Sequence, residues 1–123
     1  MQEAQPKVVI IGSASESIGK LSRQLKEAGF SNIKETHLSE VGFPKSAGTE
    51  IVIFLPRTPK EPRNHVAQRL RKTNPFLKIV MLYENAISGT EVADAVINAN
   101  CDIEDLVRVL TYLSKSNSNA KRA

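Results

Sequence analysis

The chain has very few cysteine and aromatic residues. Its 123 residues include one cysteine and no tryptophan, and aromatic residues make up 5% of the total. Cys101 therefore has no partner for an internal disulfide, which favours a reducing compartment. The longest apolar run, around Glu50 to Pro56, is far shorter than the roughly 20 residues that span a bilayer. With no signal peptide before the first apolar run, we expect a cytoplasmic location and no membrane contact.

Residues that would form a catalytic or metal centre are equally scarce. Two histidines and one distant cysteine do not make a zinc site. His37 and His65 do not neighbour a recognisable nucleophile, and Cys101 is predicted to pack as a small hydrophobic residue. We therefore expect no enzyme activity, no cofactor and no metal.

What the chain does have is a series of short apolar runs rich in β-branched residues. Such runs are typical of strands that are buried on both faces of a sheet. The three strong runs are KVVIIG at Lys7–Gly12, EIVIFL at Glu50–Leu55 and LKIVMLY at Leu77–Tyr83. Weaker strands are predicted at Asn32–Leu38 and Val96–Asn98.

Helical patterns separate these runs. Ser13 and Glu16 fit a capping box before apolar residues at helical spacing, and Gly29 is placed to end that helix. Residues 39–48 contain Gly42, Pro44 and Gly48, so any helix there is short or irregular. Later helices are predicted at Arg63–Thr73, after a loop stiffened by Pro56, Pro59 and Pro62, at Thr90–Ala95, and from the cap Asp102 onward.

Alternation of strands and helices predicts right-handed βαβ units and a parallel sheet. Five such units match a flavodoxin-like, doubly wound α/β fold with strand order 2-1-3-4-5 and helices on both faces. We expect one domain over residues 7–114. Residues 1–6 are predicted to be a disordered N-terminus, and the polar residues 115–123 a disordered tail or the start of a linker.

This layout resembles the CheY-like receiver domains of two-component response regulators over roughly Lys7 to Ser114. EIVIFLPRTP is similar to the third strand of that family with its following Met-Pro, and KIVML is similar to the fourth strand. Asp102-Ile103-Glu104-Asp105-Leu106 matches the beginning of the fifth helix. The resemblance implies the receiver fold and a role in signal transduction.

The phosphorylation chemistry of that family has no counterpart in this sequence. The resemblance implies that Gly12 and Ser13 stand where receivers have an acidic pair for Mg²⁺, and that Leu55 stands where they have the phosphoaccepting aspartate. It also implies that Tyr83 replaces a Ser or Thr and that Ala99 replaces a lysine. No aspartate lies between Met1 and Asn85, so shifting the alignment by one residue restores none of these groups. The chain therefore resembles a pseudo-receiver, the N-terminal domain of a longer regulator that binds a protein partner or forms a homodimer.

In receiver domains the fourth helix, fifth strand and fifth helix carry output or dimer contacts. By this resemblance, the candidate interaction face of the chain consists of Glu91, Val92, Ala95, Asp105, Arg108, Val109 and Tyr112.

The formal net charge of +4 is unevenly distributed. A candidate basic patch contains Arg57, Lys60, Arg63, Arg69, Arg71 and Lys72. Such a cluster could contact phosphate, an acidic protein or a nucleic acid, or it could only face solvent. No aromatic residue is interleaved with these charges for base stacking, so nucleic-acid binding is not expected of the isolated domain.

One stretch suggests nucleotide binding instead. Residues 14–20, ASESIGK, follow a strand and come close to a phosphate-binding Walker A loop. Leu21 stands where the Mg²⁺-binding Ser or Thr of that motif belongs, and the predicted helix would already run through Ile18 and Gly19. A P-loop-like nucleotide-binding domain remains the alternative, beside a basic nucleic-acid-binding module.

Overall fold

A computed structural model of the chain describes residues 7–12, 18–37, 51–85, 87 and 89–122. Side chains are described for all of these except residues 18 and 115–122. Within this part, the chain forms five strands and three helices. In chain order they are β1 Val8–Gly12, α1 Ile18–Glu27, β2 Ile33–His37, β3 Ile51–Phe54, α2 Lys60–Thr73, β4 Lys78–Tyr83, β5 Ala95–Asn98 and α3 Ile103–Arg122.

The five strands form one parallel sheet in the order β2-β1-β3-β4-β5. Val8 of β1 lies opposite Ile33 on one side and Ile51 on the other. All residues of β1 and β3 are buried, as the continuous apolar runs predict for central strands of a parallel sheet. The flavodoxin-like fold and its strand order are therefore confirmed.

Helices cover both faces of the sheet. Because side chains alternate along a strand, Val8 and Ile10 join one core cluster, together with Leu25 of α1 and Leu110 of α3. The intervening residues of the central strands face the other way and pack against α2 through Val66, Ala67 and Leu70. Alternate residues of the central strands thus point to opposite faces of the sheet, and each face is covered by helices.

Helix α2 begins three residues earlier than predicted, at Lys60 instead of Arg63. Pro59 occupies the N-cap position, and Pro62 lies in the first turn and not in the preceding loop. Proline is tolerated there because the first N–H groups of a helix have no intrahelical acceptor. The predicted end at Thr73 is confirmed, and the N–H of Asn74 closes the last turn on the carbonyl of Leu70.

The connection between β4 and β5 differs from the prediction. The helix predicted at Thr90–Ala95 is wrong, since the described residues between β4 and β5 are not helical and Ala95 already belongs to β5. Instead, side chains of α2 hold residues 89–94, here called the 89–94 segment. Arg63 Nη2 donates to the carbonyl of Gly89 at 3.2 Å, and Arg71 Nη2 donates to the carbonyl of Val92 at 3.3 Å. The two arginines thus donate to backbone carbonyls that, in a helix, would accept hydrogen bonds from N–H groups of the same helix.

Helix α3 starts directly after Asp102, whose carbonyl accepts hydrogen bonds from the N–H groups of Asp105 and Leu106. Its helical backbone continues to Arg122, across residues 115–122 where a disordered tail or linker was predicted. Once formed, a helix extends at low cost even through residues of modest propensity. The predicted disordered N-terminus, the capping box of Ser13 and Glu16, and the irregular stretch 39–48 lie outside the described residues. No helix in the described part of the chain has the length and apolarity to cross a membrane.

Candidate functional site at the carboxyl edge of the sheet

The structure brings four of the five predicted phosphorylation-site positions to one edge of the sheet. Gly12 ends β1 and Tyr83 ends β4, while Leu55 and Ala99 directly follow β3 and β5. The N–H of Leu55 donates to the carbonyl of Ile11 at 2.9 Å, and the N–H of Ala99 donates to the carbonyl of Tyr83 at 2.6 Å. The fifth position, Ser13, lies outside the described residues. The carboxyl ends of parallel strands are where ligands bind in such sheets.

These four positions carry no acidic or basic side chain. Gly12 is buried, Leu55 is 7% exposed, and Leu55 packs in the same core cluster as Leu82 and Leu106. Ala99 packs against that cluster, and Tyr83 is half-buried. In the described part of the chain, no group of three or more His, Cys, Asp or Glu side chains could hold a metal ion. These four positions therefore supply no carboxylate where receiver chemistry needs one.

A pocket of about 440 Å³ opens at this edge between α1 and the start of α3. Its floor is apolar and includes Leu55 and Leu82, whereas its rim is polar. The rim residues are Lys20 and Gln24 from α1, Glu84 after β4, and Asn98 and Asn100 around the end of β5. Hence the pocket offers hydrogen-bonding groups and one exposed lysine above a hydrophobic base.

Two local contacts define the electrostatics of the rim. Glu84 pairs with Arg57 at 3.6 Å, but the two side chains are 44% and 67% exposed, so solvent weakens the attraction. Asn98 Oδ1 accepts a hydrogen bond from the N–H of Asn100 at 2.8 Å, which shapes the turn after β5.

Cys101 also lines the pocket, and burial raises the pKa of its thiol. The carboxylates of Asp105 and Asp102 raise that pKa further. The thiol is thus held protonated, and no histidine lines this pocket to accept its proton. A protonated thiol is a poor nucleophile, so Cys101 is better suited to packing in the pocket wall than to covalent catalysis.

The Walker-like stretch is only partly within the described residues. Gly19 and Lys20 lie in the first turn of α1, which confirms that the helix runs through Ile18 and Gly19. Lys20 is exposed at the pocket rim, whereas Leu21 is half-buried and packs against the core. The position after the lysine thus presents an apolar side chain in place of a Mg²⁺-binding hydroxyl.

Comparison with known proteins gives matches in structure alone. No family model matches the sequence, and no curated protein is found as a relative. A CheY-like receiver domain from Methanospirillum hungatei superimposes with a TM-score of 0.74, at 16% identity, over 95% of this chain and 99% of its own. The chain has the receiver fold.

Two further solved structures share this fold. The beryllofluoride-activated receiver domain of DrrB, a Thermotoga maritima protein, matches with a TM-score of 0.73, at 15% identity, over 91% of this chain and 99% of its own. The pilus assembly protein CpaE of Burkholderia thailandensis matches with a TM-score of 0.69, at 13% identity, over 90% of this chain and 99% of its own.

The structure divides the predicted interaction face of the receiver fold between two sides of the sheet. Ala95 and Val109 pack against the cluster on the α3 side, while Val92 packs against the cluster beneath α2. Glu91, next to Val92, is exposed. No helix forms in the 89–94 segment, so Glu91 and Val92 lie in a turn of the connection and not on a fourth helix. Whether these residues contact a partner stays a prediction. What remains on α3 is Asp105, Arg108 and Tyr112, which are all exposed.

The six residues of the predicted basic patch do not share one surface. Arg63 is 5% exposed, and its Nε donates to Asn64 Oδ1 at 3.0 Å while Nη2 reaches Gly89. Burial lowers the pKa of its guanidinium. Arg57 pairs with Glu84 beyond the N-terminal end of α2, and Lys60 is exposed at that end. Arg69, Arg71 and Lys72 lie together in its C-terminal half.

Sequence reasoning missed the contacts of Asp94. This residue precedes β5, and its Oδ2 accepts hydrogen bonds from Arg71 Nη2 at 2.6 Å and from the N–H of Ile79 at 2.7 Å. One signal was present, since Asp94 is the first aspartate of the chain and stands directly before a strand. Its partners, however, are distant in sequence.

Proposed function

We propose that this receiver-fold domain is a cytoplasmic signalling module that works without phosphorylation, by contacting a protein partner or a second copy of itself. The observation that carries the proposal is Leu55. It occupies the position expected of the phosphoacceptor, it is nearly buried, and it packs into the core. A leucine side chain cannot accept a phosphoryl group, whereas a carboxylate can.

Two structural neighbours show what an active receiver would do. The DrrB receiver domain is described as activated by beryllofluoride, and TrrA of Thermotoga maritima is described in complex with Mg²⁺ and beryllofluoride. Such a complex needs oxygen ligands for the cation. Gly12 and Leu55 supply no carboxylate at the corresponding edge of this sheet.

An amide NMR titration with Mg²⁺ and beryllofluoride tests the first half of the proposal. We expect no saturable shift in this chain, and clear shifts in the DrrB receiver domain under the same conditions. The variant Leu55→Asp is a useful second sample. Saturable shifts in this variant alone would show that position 55 lacks the carboxylate that binds beryllofluoride. Saturable shifts around Gly12 and Leu55 in the unaltered chain would refute the proposal.

The exposed surface of α3 is the best-supported contact region. Tyr112 is 70% exposed, which is unusual for a large aromatic side chain. Arg108 and Asp105, four and seven positions earlier on the same helix, form an ion pair of 3.5 Å. Aromatic residues and arginine are enriched where proteins bind each other. Strand β5 packs against the same core cluster as α3 through Ala95 and Ile97. It is an edge strand, since it pairs only with β4 among the described strands.

Sedimentation velocity over a range of concentrations tests whether the partner is a second copy. If it is, Tyr112→Asp should weaken self-association roughly tenfold, as loss of an aromatic anchor does. Thr111→Asp, at an exposed position beside it, is the matched control and should have a smaller effect. A chain that stays monomeric throughout would exclude the homodimer and leave a different protein as the partner.

Calorimetry with ATP and Mg²⁺ separates the proposal from the nucleotide-binding alternative. We expect no binding, because Leu21 replaces the Mg²⁺-binding hydroxyl. Micromolar affinity that is lost in Lys20→Ala would favour the alternative.

A further inference from the structure

The sheet has two edge strands, β2 and β5, and they differ in charge. Each pairs with one neighbour among the described strands, which leaves one row of its backbone N–H and C=O groups outside that ladder. Strand β2 carries Lys34 and Glu35, which are both exposed. Strand β5 has the sequence AVIN, without a charged residue or a proline. Charges and prolines are what usually keep an edge strand from pairing with another chain, so β5 is the less protected edge.

The side chains of β5 add an apolar surface to this edge. Ala95 and Ile97 pack against the cluster on the α3 side. Val96 points to the opposite face of the sheet, because side chains alternate along a strand, and it is 40% exposed. Its neighbour Met81 in β4 is fully buried in the cluster beneath α2. A further strand added beside β5 would place its own side chains next to Val96 and bury it further.

Strand β5 is suited to pairing with its own copy. Two identical edge strands that pair antiparallel in one continuous sheet are related by a two-fold axis perpendicular to the sheet. With the axis at Val96, the two Val96 side chains lie directly opposite each other, and with the axis at Ile97 they lie diagonally. Either register brings only uncharged residues of β5 together. In β2, an axis at Lys34 or at Glu35 would bring two like charges opposite each other, which is destabilising.

The residues that flank β5 are compatible with this pairing. In an antiparallel pair, the start of one strand lies beside the end of the other. Asp94, directly before β5, is neutralised by Arg71 at 2.6 Å, and residues 98–100 at the other end are uncharged. The pairing also closes on itself. It joins two sheets at β5 and leaves the charged β2 strands at the two outer edges, so assembly stops at a dimer.

We propose that two copies of this chain pair antiparallel through β5 and so join their sheets into one. This inference rests on the proposed function, because it names a second copy as the partner and β5 as the contact strand. Four residues from each copy make a small interface, so the dimer is weak and forms at high chain concentration. A strand of another protein could use the same edge, but the symmetric and uncharged pattern of β5 favours a second copy.

Sedimentation velocity over a wide range of chain concentrations tests the inference. We expect a reversible equilibrium between monomer and dimer. Val96→Lys should weaken dimerisation roughly tenfold or more, because two lysines would lie opposite or diagonal to each other in the junction. Val96→Glu should have a similar effect for the same reason. An equimolar mixture of these two variants should dimerise again, because each junction then joins opposite charges.

Two control variants separate the position of a change from its chemistry. Glu35→Gln changes the net charge as Val96→Lys does, but at an exposed position of the other edge strand. Val96→Thr keeps a neutral, β-branched side chain in β5. We expect either control to change the dimerisation constant about twofold at most. If the charged variants do not fold, amide NMR spectra of the unaltered chain at increasing concentration provide the test, and the shifts should map to residues 94–99.

Three results would overturn the inference. They are a chain that stays monomeric at the highest concentration, which leaves a strand of another protein as the occupant, dimerisation that Val96→Lys leaves unchanged, and a mixture of the two charged variants that stays monomeric. Self-association that Tyr112→Asp abolishes and Val96→Lys does not would locate the contact on α3, so the proposed function would stand without this inference. A response of the unaltered chain to beryllofluoride would refute the proposed function whatever β5 does.

Discussion

At the scale of single residues, Asp94 connects three parts of the molecule through one short side chain. Its carboxylate accepts hydrogen bonds from Arg71 of α2 and from the N–H of Ile79 in β4. Its own N–H donates to the carbonyl of Ile79 at 2.7 Å. The residue therefore completes the pairing of β4 just before β5 begins, and it anchors the 89–94 segment to α2.

Removing this carboxylate should destabilise the fold. We expect Asp94→Ala to lower the free energy of unfolding by about 2 kcal/mol, because it leaves the N–H of Ile79 without its acceptor and Arg71 without its counter-ion. Urea denaturation measures the change. Asp105→Ala is the control, since its ion pair with Arg108 is largely exposed and should contribute less than about 1 kcal/mol. Equal losses in the two variants would contradict this role of Asp94.

Cys101 should react slowly with alkylating reagents. Burial raises the pKa of its thiol, Asp105 and Asp102 raise it further, and the thiolate is the reactive form. We expect slower reaction with iodoacetamide at about pH 8 than for a cysteine in an unstructured peptide. Asp105→Asn should lower the pKa and speed the reaction, while Glu104→Gln serves as the control. A pH–rate profile with its midpoint below that of the peptide would contradict the prediction.

At the scale of elements, the central strands could be predicted because strands buried in a parallel sheet have continuous apolar sequences. The conformation of the 89–94 segment could not be predicted in this way. Thr90–Ala95 looks locally compatible with a short helix, but Arg63 lies 26 positions from Gly89, and Arg71 lies 21 positions from Val92. Contacts of that sequence separation leave no local periodicity. For the same reason, the sequence could not reveal that Arg63 is buried. Gly12, Leu55, Tyr83 and Ala99 could be located at the carboxyl edge of the sheet because their positions follow from where the strands end.

Two glycines should respond in opposite ways to alanine. Gly19 lies in α1 with no atom within 4 Å of an added Cβ, so Gly19→Ala should stabilise the domain by up to about 1 kcal/mol. Gly89 has φ of +66°, and an added Cβ would lie 2.6 Å from Lys60 Cε and 2.8 Å from Asn64 Nδ2. Gly89→Ala should cost about 1–2 kcal/mol, through backbone strain and displacement of these side chains.

Thermal and urea denaturation of the two alanine variants provide the comparison. Both variants replace glycine by alanine. If the free energy of unfolding changed with the same sign in both, the backbone conformation at the two glycines would not determine the change in stability.

At the scale of the whole molecule, two core clusters on opposite faces of one sheet account for the stability of the receiver fold. Every buried hydrophobic residue of the described chain lies between Val8 and Leu113. The carboxyl-edge pocket and the surface around Tyr112 both lie on this one body. A partner that binds at either of them therefore contacts a surface that the same core supports.

The extent of that core predicts where the domain ends. A chain of residues 7–114 keeps both clusters and lacks residues 1–6 and the residues of α3 after Ser114. Its free energy of unfolding should therefore stay within about 1 kcal/mol of the full chain. Urea denaturation should remain a single cooperative transition. A chain that ends at Val109 is the control, because it removes the buried Leu110 and Leu113. Each of these losses should cost about 2–5 kcal/mol, enough to abolish cooperative folding of a marginally stable domain. If the chain of residues 7–114 were destabilised as severely as this control, the predicted domain boundary at Ser114 would be wrong.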